Sequence, residues 1–272
     1  MKYLITGGNG FIGSFLKTNL SSTDNVVKTI GRALNNDYQI DLTTGFCEIK
    51  EDFDIIIHSA SIVHDSSHAN SFNQELILKD LEITINLIKT IKNISYKKLI
   101  FLSSVSVYGV ESGKNIEIIQ NLSPSAGYGL SKVISEKLLM ESILPEKLLI
   151  LRLPLVNGPN PKGNIKRVIN AIESGKMILF KGNNAKKSIL ELDDLYLFIT
   201  EKSLKFSGIH QLKSYDIKFN DFIRGLSGKG IHYLPLILLK FMIYCSRILR
   251  LKALRNTLTK ISMDLTFTDT TK

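Results

Sequence analysis

Residues 1–16, MKYLITGGNGFIGSFL, place Gly7, Gly10 and Gly13 three residues apart, directly behind an apolar run. Lys2–Thr6 is short, apolar and β-prone, whereas Phe11, Ile12, Phe15, Leu16 and Leu20 recur at helical spacing. The glycines therefore sit on a strand-to-helix turn. Free backbone N–H groups and the positive end of the helix dipole converge there, and the missing side chains let an anion approach. A tight turn packed on a sheet is the alternative. Three spaced glycines behind a Thr, this early in the chain, favour a phosphate site and a dinucleotide fold.

Working outward, apolar strand-like runs at 25–30, 53–58, 98–103 and 148–153 alternate with helical stretches at 73–93 and 128–142. That alternation predicts an α/β protein with a doubly wound parallel sheet. At VNGPNPKGN, from Val156, Gly, Pro and Asn crowd in, which reads as a long loop leaving the sheet. A Rossmann domain over 1–155 is expected, followed by a smaller substrate-binding lobe over 156–272 with segments around 189–213 returning to the first domain. The 272 residues, 44% hydrophobic and 22% charged, support a substantial core and at most two domains. Cys47 and Cys245 lie far apart and no signal peptide is evident, so reduced cytoplasmic thiols are expected and no metal site follows. The net charge of +10 is uneven: residues 201–272 hold 13 Lys and Arg against 5 Asp and Glu.

The run FLSSVSVYGV, from Phe101, is followed by YGLSK, in which Tyr128 and Lys132 are four apart and share one helix face. A free phenol has a pKa of about 10, and a neighbouring ammonium lowers it toward the range of useful proton exchange. Ser104, at the carboxyl end of the preceding strand, is placed to hydrogen-bond the same substrate oxygen. Tyr-x-x-x-Lys alone is a weak signal. Behind a glycine fingerprint and a strand-end Ser it becomes strong.

TGGNGFIG, DIIIHSAS, FLSSVSVYG, YGLSK and LRLPLVNGP, in this order, resemble the extended short-chain dehydrogenase/reductase family of nucleotide-sugar epimerases, dehydratases and reductases. The resemblance spans about residues 1–225. It implies that Gly7, Gly10 and Gly13, with Phe11 and Ile12, form the pyrophosphate loop. Asp41 and Leu42 then meet the adenine and Ala60 lines the cofactor. It also implies Tyr128 as general acid/base, Ser104 as substrate anchor, and Lys132 as the residue that holds the nicotinamide ribose and lowers the Tyr pKa. One departure is Asp80, with Ile83-Thr84, where the family usually has Asn and then Gly-Thr.

Ser104-Val105-Ser106 stands where the family's dehydratases carry Thr-Asp-Glu, so dehydration is disfavoured. Reduction and epimerization remain. VVKTIGRAL ends the second strand without a carboxylate, and Arg32 could fork onto a 2′-phosphate, a contact worth about 1.5–3 kcal/mol. NADP(H) is therefore preferred and NAD(H) possible. The segment from Leu151 is similar to 4-ketosugar reductases of the UDP-N-acetylquinovosamine type. That likeness implies Asn164 and Lys187 at the nucleotide diphosphate, with Arg152 and Asp193 in structural roles. A UDP-4-keto-6-deoxy sugar reductase of surface polysaccharide synthesis is the first expectation, a 4-epimerase with tightly held NAD the second, and a non-catalytic dinucleotide-binding regulator the third. A homodimer is expected, with no nucleic acid partner. The tail YLPLILLKFMIYCSRILRLKALR is expected to form a lobe helix with its apolar face inward. A weak contact with an anionic membrane surface is the alternative.

Overall fold

The computed structural model describes residues 1–62, 73–118, 121–226 and 230–272. Its main sheet has seven parallel strands in the order Gly208–Gln211, Leu148–Leu153, Lys98–Ser104, Ile55–His58, Lys2–Thr6, Val26–Gly31 and Tyr38–Gln39. The chain starts at Lys2–Thr6, winds outward to Tyr38–Gln39, then returns to Ile55–His58 on the other side of the first strand. A crevice opens where the winding reverses, at the carboxyl ends of those strands.

Both faces of this sheet are covered, which explains why its strands read as continuous apolar runs instead of alternating ones. Leu16 and Leu20 of helix Phe11–Ser21 cover one face, together with Leu192, Leu195 and Ile199. Leu87 and Ile91 of helix Gln74–Ile91, with Leu139 of helix Gly127–Ser142, cover the other against Leu4, Ile56 and Phe101. Strand ends differ from the sequence reading by up to two residues. The strand expected from residue 53 begins at Ile55, because Asp54 is spent on the edge, where its carboxylate accepts from the Lys2 backbone N–H at 2.8 Å.

A second sheet runs Tyr215–Lys218, Lys186–Glu191, Leu265–Phe267 and Gly113–Ile116, with Leu155–Asn157 also paired to Lys186–Glu191. Helix Gly163–Glu173 and the parallel pair Met177–Lys181 and Ile231–Pro235 complete the lobe with helices Leu236–Ile248 and Lys252–Ser262. The tail meets its expectation only in part. Leu239 and Leu258 pack inward against Phe180, but Ile237, Phe241, Tyr244 and Ile248 face solvent. Periodicity marks a helix as apolar without saying how much neighbouring surface exists to cover it. Among the described residues, no helix is long and apolar enough to cross a membrane.

Candidate active site

The glycine turn is built by close approach. Gly7 has φ of +72°, and a Cβ there would lie 2.8 Å from the Ala60 Cα. A Cβ on Gly13 would lie 2.2 Å from the Gly7 carbonyl oxygen, so only glycine lets the helix start against the strand. Gly10 caps that helix and its N–H bonds the Gly7 carbonyl at 2.8 Å. Thr6 anchors the opposite wall: its hydroxyl accepts from the Ala60 N–H at 3.1 Å and its carbonyl accepts from Ser59 Oγ at 2.7 Å.

These groups line a cleft of about 1120 Å³ that also contains Phe11, Ile12, Arg32, Asp41, Leu42, Ser104, Tyr128 and Lys132. The residues expected at the cofactor and those expected to be catalytic thus share one cavity. Lys187 is not brought there: its ammonium donates to the Met263 carbonyl at 2.7 Å, and burial pushes it down to about 8. Asn164 lies in the first turn of helix Gly163–Glu173, and its side chain falls outside the described set. Asp193 is exposed in the first turn of a short helix.

Ser104 ends its strand and caps the short turn Val105–Tyr108, where its Oγ accepts from the Ser106 N–H at 3.2 Å. That leaves the Ser104 hydroxyl proton free to donate. Tyr128 and Lys132 share the first turns of helix Gly127–Ser142, with the ammonium 5.6 Å from the Tyr128 ring and 4.9 Å from the Phe101 ring. Lys132 is buried, and its Nζ lies 3.9 Å from Asp80 Oδ2. Burial lowers the Lys132 ammonium, and Asp80 and Glu136 oppose that fall. Burial works to raise the Asp80 carboxyl, but Lys132 and bonds from the Ile62 N–H, Ser131 Oγ and Ser61 Oγ outweigh it and hold the group below its ordinary range. Tyr128 corrects the sequence reading. Burial first, and then the Asp80 charge, push the phenol well above its ordinary value.

His58 is buried beneath the site, between the hydroxyls of Thr6 at 2.8 Å and Thr84 at 3.1 Å, and stacked on Phe101. Burial, with Lys132 nearby, takes it down to about 3, so it is neutral. Four residues past Lys132, Glu136 accepts from Ser103 Oγ at 2.5 Å and from Arg152 Nη2 at 2.7 Å, both buried. That pair fixes helix Gly127–Ser142 to two strands and gives Arg152 a structural place.

A dinucleotide fits on two observations. The glycine cradle is shaped so that any added Cβ would fill it, and Asn36 Oδ1, on the cleft wall, is buried without a hydrogen-bond partner. Asn36 also explains Gly31, where a Cβ would lie 2.9 Å from the Asn36 amide, leaving no room for the acid that often ends this strand. Asp41 is turned to its own loop: burial works against it, but the Thr43 N–H and hydroxyl, with Arg32, hold its carboxyl below the ordinary range. Lys162 crosses from the lobe and donates to the Asn9 carbonyl at 3.3 Å. Sequence reasoning missed Asn36, Glu136 and Lys162. Only Glu136 carried a signal, its helical spacing from Lys132.

A family model described as NAD dependent epimerase/dehydratase family matches residues 3–199. The chain belongs to that family. A curated relative of the family, UDP-glucose 4-epimerase of Vibrio cholerae, is 27% identical over 71% of this chain and 63% of its own length. The chain spans between 49% and 63% of the length of the first three curated relatives it matches. Among solved structures, UDP-glucuronic acid 4-epimerase from Bacillus cereus in complex with NAD superposes with a TM-score of 0.63 at 21% identity, covering 86% of this chain and 87% of that one. A dTDP-4-dehydrorhamnose reductase from Clostridium acetobutylicum superposes with a TM-score of 0.66 at 18% identity over 86% and 83%. At these identities the structures establish the shared fold.

Proposed function

We propose that the protein is an NAD(P)-dependent oxidoreductase of nucleotide sugars, reducing a UDP-4-keto-6-deoxy sugar with Tyr128 as proton donor. The observation that carries this reading is that Ser104, Tyr128 and Lys132 open into the same cleft as the glycine turn. When bound, the nicotinamide supplies the hydride. Ser104 donates to the substrate carbonyl oxygen with the proton that its bond from Ser106 leaves free. Tyr128, held neutral by burial and Asp80, gives up its proton to that oxygen as charge develops on it. Lys132 steadies the phenolate that remains and holds the nicotinamide ribose. Arg32, exposed at the rim, would meet a 2′-phosphate, so NADP(H) is the preferred reductant and NAD(H) the second, and Asn36 Oδ1 would accept from a ribose hydroxyl of either.

A 4-epimerase holding NAD is the second reading, supported by the name of the Vibrio cholerae relative. An assay separates them. Purified protein is given UDP-4-keto-6-deoxy sugars with NADPH or NADH, and UDP-glucose with no added reductant. Oxidation of NADPH dependent on the ketosugar is expected, and Tyr128→Phe should lose about 100-fold or more in turnover while binding the cofactor unchanged. Epimerization without added reductant would move the assignment to the second reading, and an unimpaired Tyr128→Phe would remove Tyr128 as the acid.

A further inference from the structure

Helix Leu236–Ile248 begins directly after Pro235 and is apolar on both sides. Its back is anchored by Leu239, 1% exposed, and Ser246, 2% exposed. Its front carries Ile237, Phe241, Tyr244 and Ile248 at spacings of four, three and four, a narrow stripe along one side. Their exposures are 73%, 62%, 62% and 63%, and Leu249, Leu251 and Leu254 extend the exposed surface into the next helix. Monomeric proteins seldom leave so contiguous a patch of large side chains in water.

The charge around this stripe has one sign. Residues 222–263 contain eight Lys and Arg and no Asp or Glu. Lys240 and Arg250 are exposed, and no carboxylate of the described residues forms an ion pair with either. A second copy docked face to face would set two such cationic surfaces against each other, so the charge argues against self-association. An anionic lipid surface satisfies both features at once, since the stripe enters the interface while the basic side chains reach the headgroups. With 13 residues the helix is about 20 Å long, too short to span a bilayer and suited to lie in its plane.

We propose that this face docks the protein peripherally on an anionic membrane, through Phe241, Ile248 and their neighbours with Lys240 and Arg250. The proposal does not depend on which sugar nucleotide the cleft accepts. Co-sedimentation of the full chain tests it, using phosphatidylcholine vesicles containing about one-third phosphatidylglycerol and pure phosphatidylcholine as control. Salt is set at about 0.01 M and about 1 M, where charges are screened over about 30 Å and 3 Å. Binding is expected to the anionic vesicles at low salt, with release at high salt and little retention on the control. Phe241→Ser with Ile248→Ser should weaken binding about tenfold or more. Lys240→Gln with Arg250→Gln touches no buried contact, keeps the test valid should the apolar pair impair folding, and should weaken binding about fivefold per charge. Failure to bind anionic vesicles at low salt, binding indifferent to both double variants, or a wild-type dimer that Phe241→Ser with Ile248→Ser converts to monomer would each overturn the proposal.

Discussion

Asp80 is the side chain on which the electrostatics of the cleft turn. It accepts three hydrogen bonds and sits 3.9 Å from Lys132, so the lysine reaches the site partly neutralised. Asp80→Asn keeps the shape and removes the negative charge that helps hold the Tyr128 phenol up. The phenol then ionises more readily, and the alkaline limb of the reduction profile should move to lower pH; a limb that stays in place would show that Asp80 does not act on Tyr128. His58 makes a second pH-dependent contribution. Its pKa is about 3 in the fold against 6.5 as the ordinary value, so between those limits the unfolded chain binds more protons than the native one. Stability therefore rises with pH across that window and is lost as pH falls through it, by up to about 1.4 kcal/mol per unit. His58→Gln should flatten that slope, saving about 2 kcal/mol between pH 6.5 and 5, measured by chemical denaturation at each pH.

The glycine turn shows how an element's start can be decided by one missing carbon. A Gly→Ala change inside a helix ordinarily stabilises by about 1 kcal/mol. At Gly13 the new Cβ would meet the Gly7 carbonyl oxygen at 2.2 Å, and overpacking of about 1–3 kcal/mol outweighs the propensity gain. Relief comes only by moving the helix off the turn, which misdirects its N–H groups. Gly13→Ala should thus weaken NADPH at least tenfold by calorimetry, with a lower melting temperature. Unchanged affinity would mean that the turn does not hold the pyrophosphate. Helix Gly127–Ser142 is fixed differently, by a buried Arg152–Glu136 pair whose disruption strands a charge.

Across the whole molecule, the last residues stitch lobe to sheet. The Gly113 N–H donates to the Asp264 carbonyl at 2.8 Å, Thr268 N–H to the Ile116 carbonyl at 3.0 Å, and Thr270 N–H to the Gln211 carbonyl at 3.0 Å. Phe267 is buried and stacks with Tyr108, whose ring lies 5.0 Å from the Arg152 guanidinium. A packed chain thus runs from Phe267 through Tyr108 and Arg152 to Glu136 on the helix that carries Tyr128 and Lys132. Deleting residues 264–272 removes a buried aromatic side chain worth about 3–5 kcal/mol, and at about 2–4 °C per kcal/mol the melting temperature should fall by about 10 °C or more. Turnover should fall with it. A deletion that melts like the full chain would show that this stitching contributes little.

The alternation of strands and helices, the glycine turn and the row Ser104, Tyr128, Lys132 were legible because each rests on short-range pattern: period, spacing and a strand end followed by a helix. Asp80 was also legible, as a departure from the pattern that the family resemblance implies. Its pairing with Lys132 was not, since Ser61, Ile62, Ser131 and Lys132 come from two other elements and only the folded chain gathers them around it. Lys187 stood in a stretch that pointed to the diphosphate, yet in the fold its strand runs beside Leu265–Phe267 and its ammonium is taken by a backbone carbonyl. The tail divides the same way. Its helix, its apolar content and its charge are properties of consecutive residues, whereas the side it turns to water depends on how much apolar surface the rest of the lobe has left to offer, and that quantity exists only once the distant segments have met.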